Sequence, residues 1–121
     1  PRKLSVDTMM FNIKPFVSLL KRKDAKKARE WLDSNRGQIY SGKDFERGYL
    51  LALQGMVNAI ESGGELSVIH KLLEKKFTNE RLAELTREAK GKLSQKFHPE
   101  DERGFYSAWI EVIQELYGEK A

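Results

Sequence analysis

The chain has 121 residues, 22 of them Lys or Arg and 18 Asp or Glu, for a net charge of +4. This length fits one domain with a core of its own, and 40% hydrophobic with 33% charged residues is not the composition of a disordered chain. The absence of cysteine excludes disulfides, thiolate nucleophiles and cysteine-based zinc sites, and no apolar run approaches the ~18 residues of a transmembrane helix.

Residues 1–7 read as a loose start, with Pro1 following a removed initiator Met and no short apolar stretch of the signal-peptide kind. Met10, Ile13, Val17 and Leu20 then recur at three- to four-residue spacing, which predicts an amphipathic helix over 9–22. Pro15 either kinks this helix or marks its regular start. Asp24 is the expected N-cap of a second helix over 25–35, with Ala25, Ala28, Trp31 and Leu32 inward. Asn35-Arg36-Gly37 reads as its stop, and 38–43 as a connection. A third helix is expected over Asp44–Ser62, ended by Gly63-Gly64, with Phe45, Tyr49, Leu53, Met56, Val57 and Ile60 on a wide apolar face. Gly48 and Gly55 inside it suggest that a neighbouring backbone comes close, since mid-helix glycine costs about 1 kcal/mol against alanine. A fourth helix is expected over 65–76 through Leu66, Ile69, Leu72 and Leu73. A fifth, capped by Thr78, is expected over 79–95 with Leu82, Leu85, Ala89 and Leu93 inward. Pro99 suits the first turn of a last helix reaching Tyr117. Its acids Glu100, Asp101 and Glu102 suit the positive end of the helix dipole, and Phe105, Trp109, Val112, Ile113 and Leu116 form its inward stripe.

The string Glu46-Arg47-Gly48-Tyr49 returns as Glu102-Arg103-Gly104-Phe105, and the apolar positions after each copy also match: Ala52 with Ala108, Val57 with Ile113, Ile60 with Leu116. No segment shows the period-2 alternation of a strand. The expected fold is therefore all-α, a compact bundle of five or six helices forming a single helical domain over 1–121. Within it the recurrence suggests two pseudo-repeated three-helix units, about 9–62 and 65–117. Gly48 with Ala52 and Gly104 with Ala108 would let the two matching helices approach each other. The blocks are not 34 residues long and do not follow the tetratricopeptide pattern.

Charge is polarised along the chain, with a net +7 over residues 1–43 and a net −3 over 44–121. Abundant Lys and Glu with only four Asn resemble the composition of heat-adapted proteins. The densest run is Lys21-Arg22-Lys23-Asp24-Ala25-Lys26-Lys27-Ala28-Arg29, which reads as a phosphate-binding patch or as the solvated face of a Lys-rich protein. No aromatic residue interleaves with it, so base stacking is not expected there. The paired Glu-Arg residues (Glu46, Arg47, Glu102, Arg103) sit in first turns, where the two Arg residues either bind an anionic group at the repeat junction or, the favoured reading, fix packing by pairing with carboxylates of an adjacent helix. His70 and Glu74, four apart, are too few for a metal site, and His70 is expected at the surface or boundary. His98, before Pro99, reads as a turn residue. The acids Glu100–Glu102 diverge around a helix and do not make a catalytic pair. There is no phosphate-binding loop, dinucleotide fingerprint or nucleophile elbow. Of the aromatics, Tyr40, Tyr106 and Tyr117 fall off the main stripes, as a partner surface would require.

The function expected from sequence is a non-catalytic binding module. Its first partner class is nucleic acid, engaged at the backbone by Lys21, Arg22, Lys23, Lys26, Lys27 and Arg29. The alternative is a protein-interaction subunit or scaffold, including a homodimer. No catalytic residues, metal or cofactor are indicated, no membrane association is expected, and a cytoplasmic location suits the missing cysteines.

Overall fold

The computed structural model describes residues 12–63, 67–95 and 99–117. These form six α-helices: α1 Lys14–Lys21, α2 Ala25–Ile39, α3 Asp44–Ser62, α4 Val68–Leu73, α5 Asn79–Ser94 and α6 Glu100–Tyr117. No strand occurs among the described residues, and no helix there is long and apolar enough to cross a membrane.

α3 and α6 make the most extensive helix–helix contact in the molecule. Both are rich in buried residues, and Tyr49, Leu53, Met56 and Val57 of α3 and Ala108 and Val112 of α6 are almost fully excluded from solvent. Their closest approach is at Gly48 and Gly104, each the fifth residue of its helix. A Cβ built on Gly48 would fall 1.7 Å from the Asp101 carbonyl oxygen, and one on Gly104 would fall 1.8 Å from that of Phe45. Each glycine therefore faces the residue three positions before the other glycine. The hydrogen that replaces Cβ points at that oxygen, in the manner of a weak Cα–H···O contact. The expected mutual approach of the two matching helices is present. Gly55 has no neighbouring atom within 4 Å of its Cβ position, so the same expectation fails there.

α2 packs on α3, α5 on α6, and α1 against α2 with a lesser contact to α6. Phe16, Val17 and Leu20 seal the α1 side of the core, and the Phe16 ring lies 5.4 Å from that of Trp31. α4 is short because Ser67 caps its start by accepting from His70 N–H, and because the chain reverses after Glu74. Ile69 and Leu72 plug it into the core.

Of the two readings of Pro15, the regular start is the one present, with Pro15 in the first turn of α1. Several other sequence expectations need correction. Residues 9–11, including Met10, lie outside the described residues, as do Gly64, Leu66, His98 and Gly118. The Asn35-Arg36-Gly37 stop is overrun and α2 continues to Ile39, because Ile39 is buried in the core. Burying an isoleucine is worth about 1.5–3 kcal/mol, which exceeds the roughly 1 kcal/mol cost of Gly37 in a helix. The fourth helix ends at Leu73 instead of Lys76. Phe105 is not an inward residue; it is 38% exposed and meets Tyr106 edge-on with ring centroids 5.6 Å apart. The expected caps hold: Asp24 Oδ1 accepts from Lys27 N–H at 3.1 Å, Thr78 Oγ1 from Arg81 N–H at 3.1 Å, and Gly63 ends α3 with φ +71°.

Candidate nucleic-acid interface

The basic run folds around the corner between α1 and α2. α1 closes through Lys23 N–H to the Leu20 carbonyl and Asp24 N–H to the Leu19 carbonyl, the Schellman pattern, with Lys23 at φ +57°. Three residues separate the two helices, so the bases on either side project from one end of the pair. Asp24, the acid in the run, is engaged as the cap of α2. The first turn of α2 carries no acid, and Lys26 and Lys27 sit at the positive end of its dipole. Each cation there costs about 0.3–1 kcal/mol at an exposed site and adds to an already positive field.

Of the six residues expected to form the patch, Lys21, Arg22, Lys26 and Lys27 are exposed and make no ion pair among the described residues. The other two have internal partners. Lys23 donates to Glu74, and that bond holds the Glu74 carboxyl below its ordinary range. Arg29 donates to Asn58 at 2.9 Å and to Glu61 at 2.7 Å, bracing α2 on α3. Both ion pairs are solvent-accessible and contribute at most about 1 kcal/mol each.

Sequence reasoning missed Lys14. It is exposed on α1 and shares a face with Ser18, Lys21 and Arg22 through i, i+4, i+7 and i+8 spacing, a signal present in the sequence. Along α2 the positive surface is interrupted. Exposed Glu30 and Asp33 fall on the face of Lys26 before Arg36 is reached, and Lys43 lies beyond the far end of the helix. Arg2 and Lys3 are outside the described residues.

A polar cavity of about 330 Å³ lies beside this corner, lined by Lys23, Gly63, His70, Glu74 and Lys76. It collects the C-terminal ends of α1, α3 and α4, whose carbonyls carry partial negative charge. Lys23 and Lys76 are thus in the places where cations stabilise helix ends, and this structural role accounts for them. His70, expected at the surface or boundary, is buried, and its Nε2 has no hydrogen-bond partner. No group of three metal-ligating side chains occurs among the described residues.

The recurring Arg residues take structural partners. Arg47 lies 3.5 Å from Asp101 across the α3–α6 contact and 3.4 Å from Asp44. Arg103 lies 3.4 Å from Glu100 and donates to the Leu93 carbonyl, tying α6 to the end of α5. Glu46 accepts from Ser41 N–H and Oγ–H, both at 2.9 Å, and these bonds lower its pKa, the Ser41 backbone bond most. At the centre of the bundle the Tyr49 hydroxyl donates to Glu111 Oε1 at 2.6 Å. Burial raises the pKa of both groups.

Comparison of the chain with protein-family models, with characterised proteins and with solved structures finds no match.

Proposed function

We propose that the protein is a non-catalytic module that binds nucleic acid through the phosphate backbone at the α1–α2 corner. The observation that carries this reading is the set Lys21, Arg22, Lys26 and Lys27. All four are exposed at one helix–helix corner and unpaired among the described residues, and the adjacent acid is committed to a cap. Lys14 extends the set along α1. Point charges on flexible stems, without an aromatic platform, suit phosphate contacts that position a strand but do not read bases. Sequence preference is therefore weak.

The number of free bases sets the salt response. Neutralising four phosphates of a duplex gives a slope of about −3.6 in log affinity against log salt, and about −2.8 for a single strand. Between 50 and 200 mM salt a duplex would then lose roughly 150-fold in affinity. If Lys23 and Arg29 also left their internal partners, the duplex slope would steepen to about −5.4. Fluorescence anisotropy with labelled 20-mers of both types, across a salt series, measures this. Replacing Lys21, Arg22, Lys26 and Lys27 together by Gln should abolish binding and leave the helical spectrum unchanged. Affinity that ignores salt, or a fourfold variant that binds as the parent does, refutes the reading.

A further inference from the structure

A second surface lies on the other half of the fold. α5 packs chiefly against α6, and the cleft between them opens into an apolar groove of about 250 Å³. Its apolar lining includes Phe105 and Trp109 of α6, Leu85 of α5 and Val68 at the start of α4. Val68 and Phe105 are 44% and 38% exposed, so this side of the core is left in contact with water. Aromatic side chains in a groove with charged groups at the edge have the anatomy of a protein interface: an apolar centre that excludes water and a polar rim.

The rim indicates what covers it. Glu88 and Lys92 border the groove from α5. They stand four residues apart, with the acid N-terminal, the arrangement that favours pairing within a helix. Yet neither makes an ion pair among the described residues. A rim with one acid and one base on the same helix is self-complementary. Under a two-fold axis crossing α5, Glu88 of each copy meets Lys92 of the other, and the two exposed Phe105 side chains share the apolar centre. We propose that the α5–α6 groove is the interface of a symmetric homodimer of this chain, fixed in register by reciprocal Glu88–Lys92 pairs.

A groove of about 250 Å³ supplies only a small apolar centre, so the dimer is weak, with Kd on the order of 10–100 μM. Each dimer carries two α1–α2 corners, although the inference does not depend on what those corners bind.

Sedimentation velocity over a concentration series from about 5 μM to about 1 mM, a range set by that Kd, is the test. The full chain should pass from monomer to dimer across it. Glu88→Lys and Lys92→Glu each place two like-charge pairs in the interface and should raise Kd about tenfold or more. An equimolar mixture of the two variants should recover the parental Kd, because every contact in the mixed dimer pairs opposite charges again. The Glu88→Lys/Lys92→Glu double variant should recover it as a homodimer. Phe105→Ser, a change at an exposed site, should abolish association, with circular dichroism showing an unchanged fold. A parent chain that stays monomeric throughout overturns the proposal, even if the groove then captures a different protein or a small apolar ligand. Dimerisation that both charge reversals leave unchanged, or that the mixture fails to restore, overturns it too.

Discussion

Replacing Gly48 with alanine tests how the bundle is held together. The added Cβ would sit 1.7 Å from the Asp101 carbonyl oxygen, about 1.7 Å short of ordinary van der Waals contact. The obstacle is backbone within a helix, so no side-chain rotation relieves it, and α6 must move away from α3. A gap of 0.5–1 Å already forfeits a quarter to a half of the dispersion energy of the atoms it separates. That loss falls on the largest interface of the fold, where Tyr49, Leu53, Met56 and Val112 are packed. Overpacking of this kind costs typically 1–3 kcal/mol and more where the backbone must shift, against a helix-propensity gain of about 1 kcal/mol. The net expectation is a loss of about 2 kcal/mol, the upper end of that range less the propensity gain. For a chain of this length that is a fall in Tm of roughly 6–10 °C. Urea and thermal unfolding followed by circular dichroism at 222 nm read it directly. Gly55→Ala is the internal control: on the same helix, exposed and with no neighbouring atom, it should stabilise by about 0.5–1 kcal/mol. Gly104→Ala should behave like Gly48→Ala. Because a single displacement relieves both clashes, the double variant should lose clearly less than the sum of the two. A Gly48→Ala protein as stable as Gly55→Ala would refute the reciprocal contact, and strict additivity would show that the two clashes are independent.

Other expectations follow from the same packing. Glu111→Gln keeps an oxygen acceptor for the Tyr49 hydroxyl but removes a carboxyl whose folded pKa burial has raised above its usual 4.5. The stability this carboxyl contributes is fully present below that value and is lost as pH rises through the folded pKa. The variant should therefore gain on the parent between pH 4.5 and 7 in urea unfolding, and a constant difference across that range would count against the assignment. Ile39→Ala should cost about 2–4 kcal/mol if α2 truly extends to a buried Ile39; a surface-like loss under 0.5 kcal/mol would show that the helix stops earlier. Asp24→Ala removes the cap of α2 and should cost about 1 kcal/mol in unfolding experiments while tightening any binding of polyanions at the corner.

What the sequence made legible was mostly local. α3 was bounded correctly at both ends because the whole signal lies in one stretch: a wide apolar face, acids in the first turn and a glycine with positive φ just after Ser62. The recurrence of Glu-Arg-Gly-aromatic pointed to a close contact, and Gly48 and Gly104 make it. The misreadings involve tertiary packing. Nothing local distinguishes Gly37, inside α2, from a helix-stopping glycine; the burial of Ile39 decides it. Phe105 occupies the same register as Tyr49, which is fully buried, yet it lies half-open because its side of α6 meets a groove. For the candidate interface the bases could be named from sequence. Which of them stay free depended on Glu61 and Glu74, more than 30 residues away along the chain.

α4 shows how two such surfaces can be joined by an element with little stability of its own. Six residues cannot hold a helix by propensity, and the segment persists because Ile69 and Leu72 are buried and Ser67 caps its start. At one end it supplies Val68 to the apolar groove; immediately after the other, Glu74 receives Lys23 from the α1–α2 corner. A helix of that length rises only about 9 Å, so the groove and the basic corner meet the same short, buried peg.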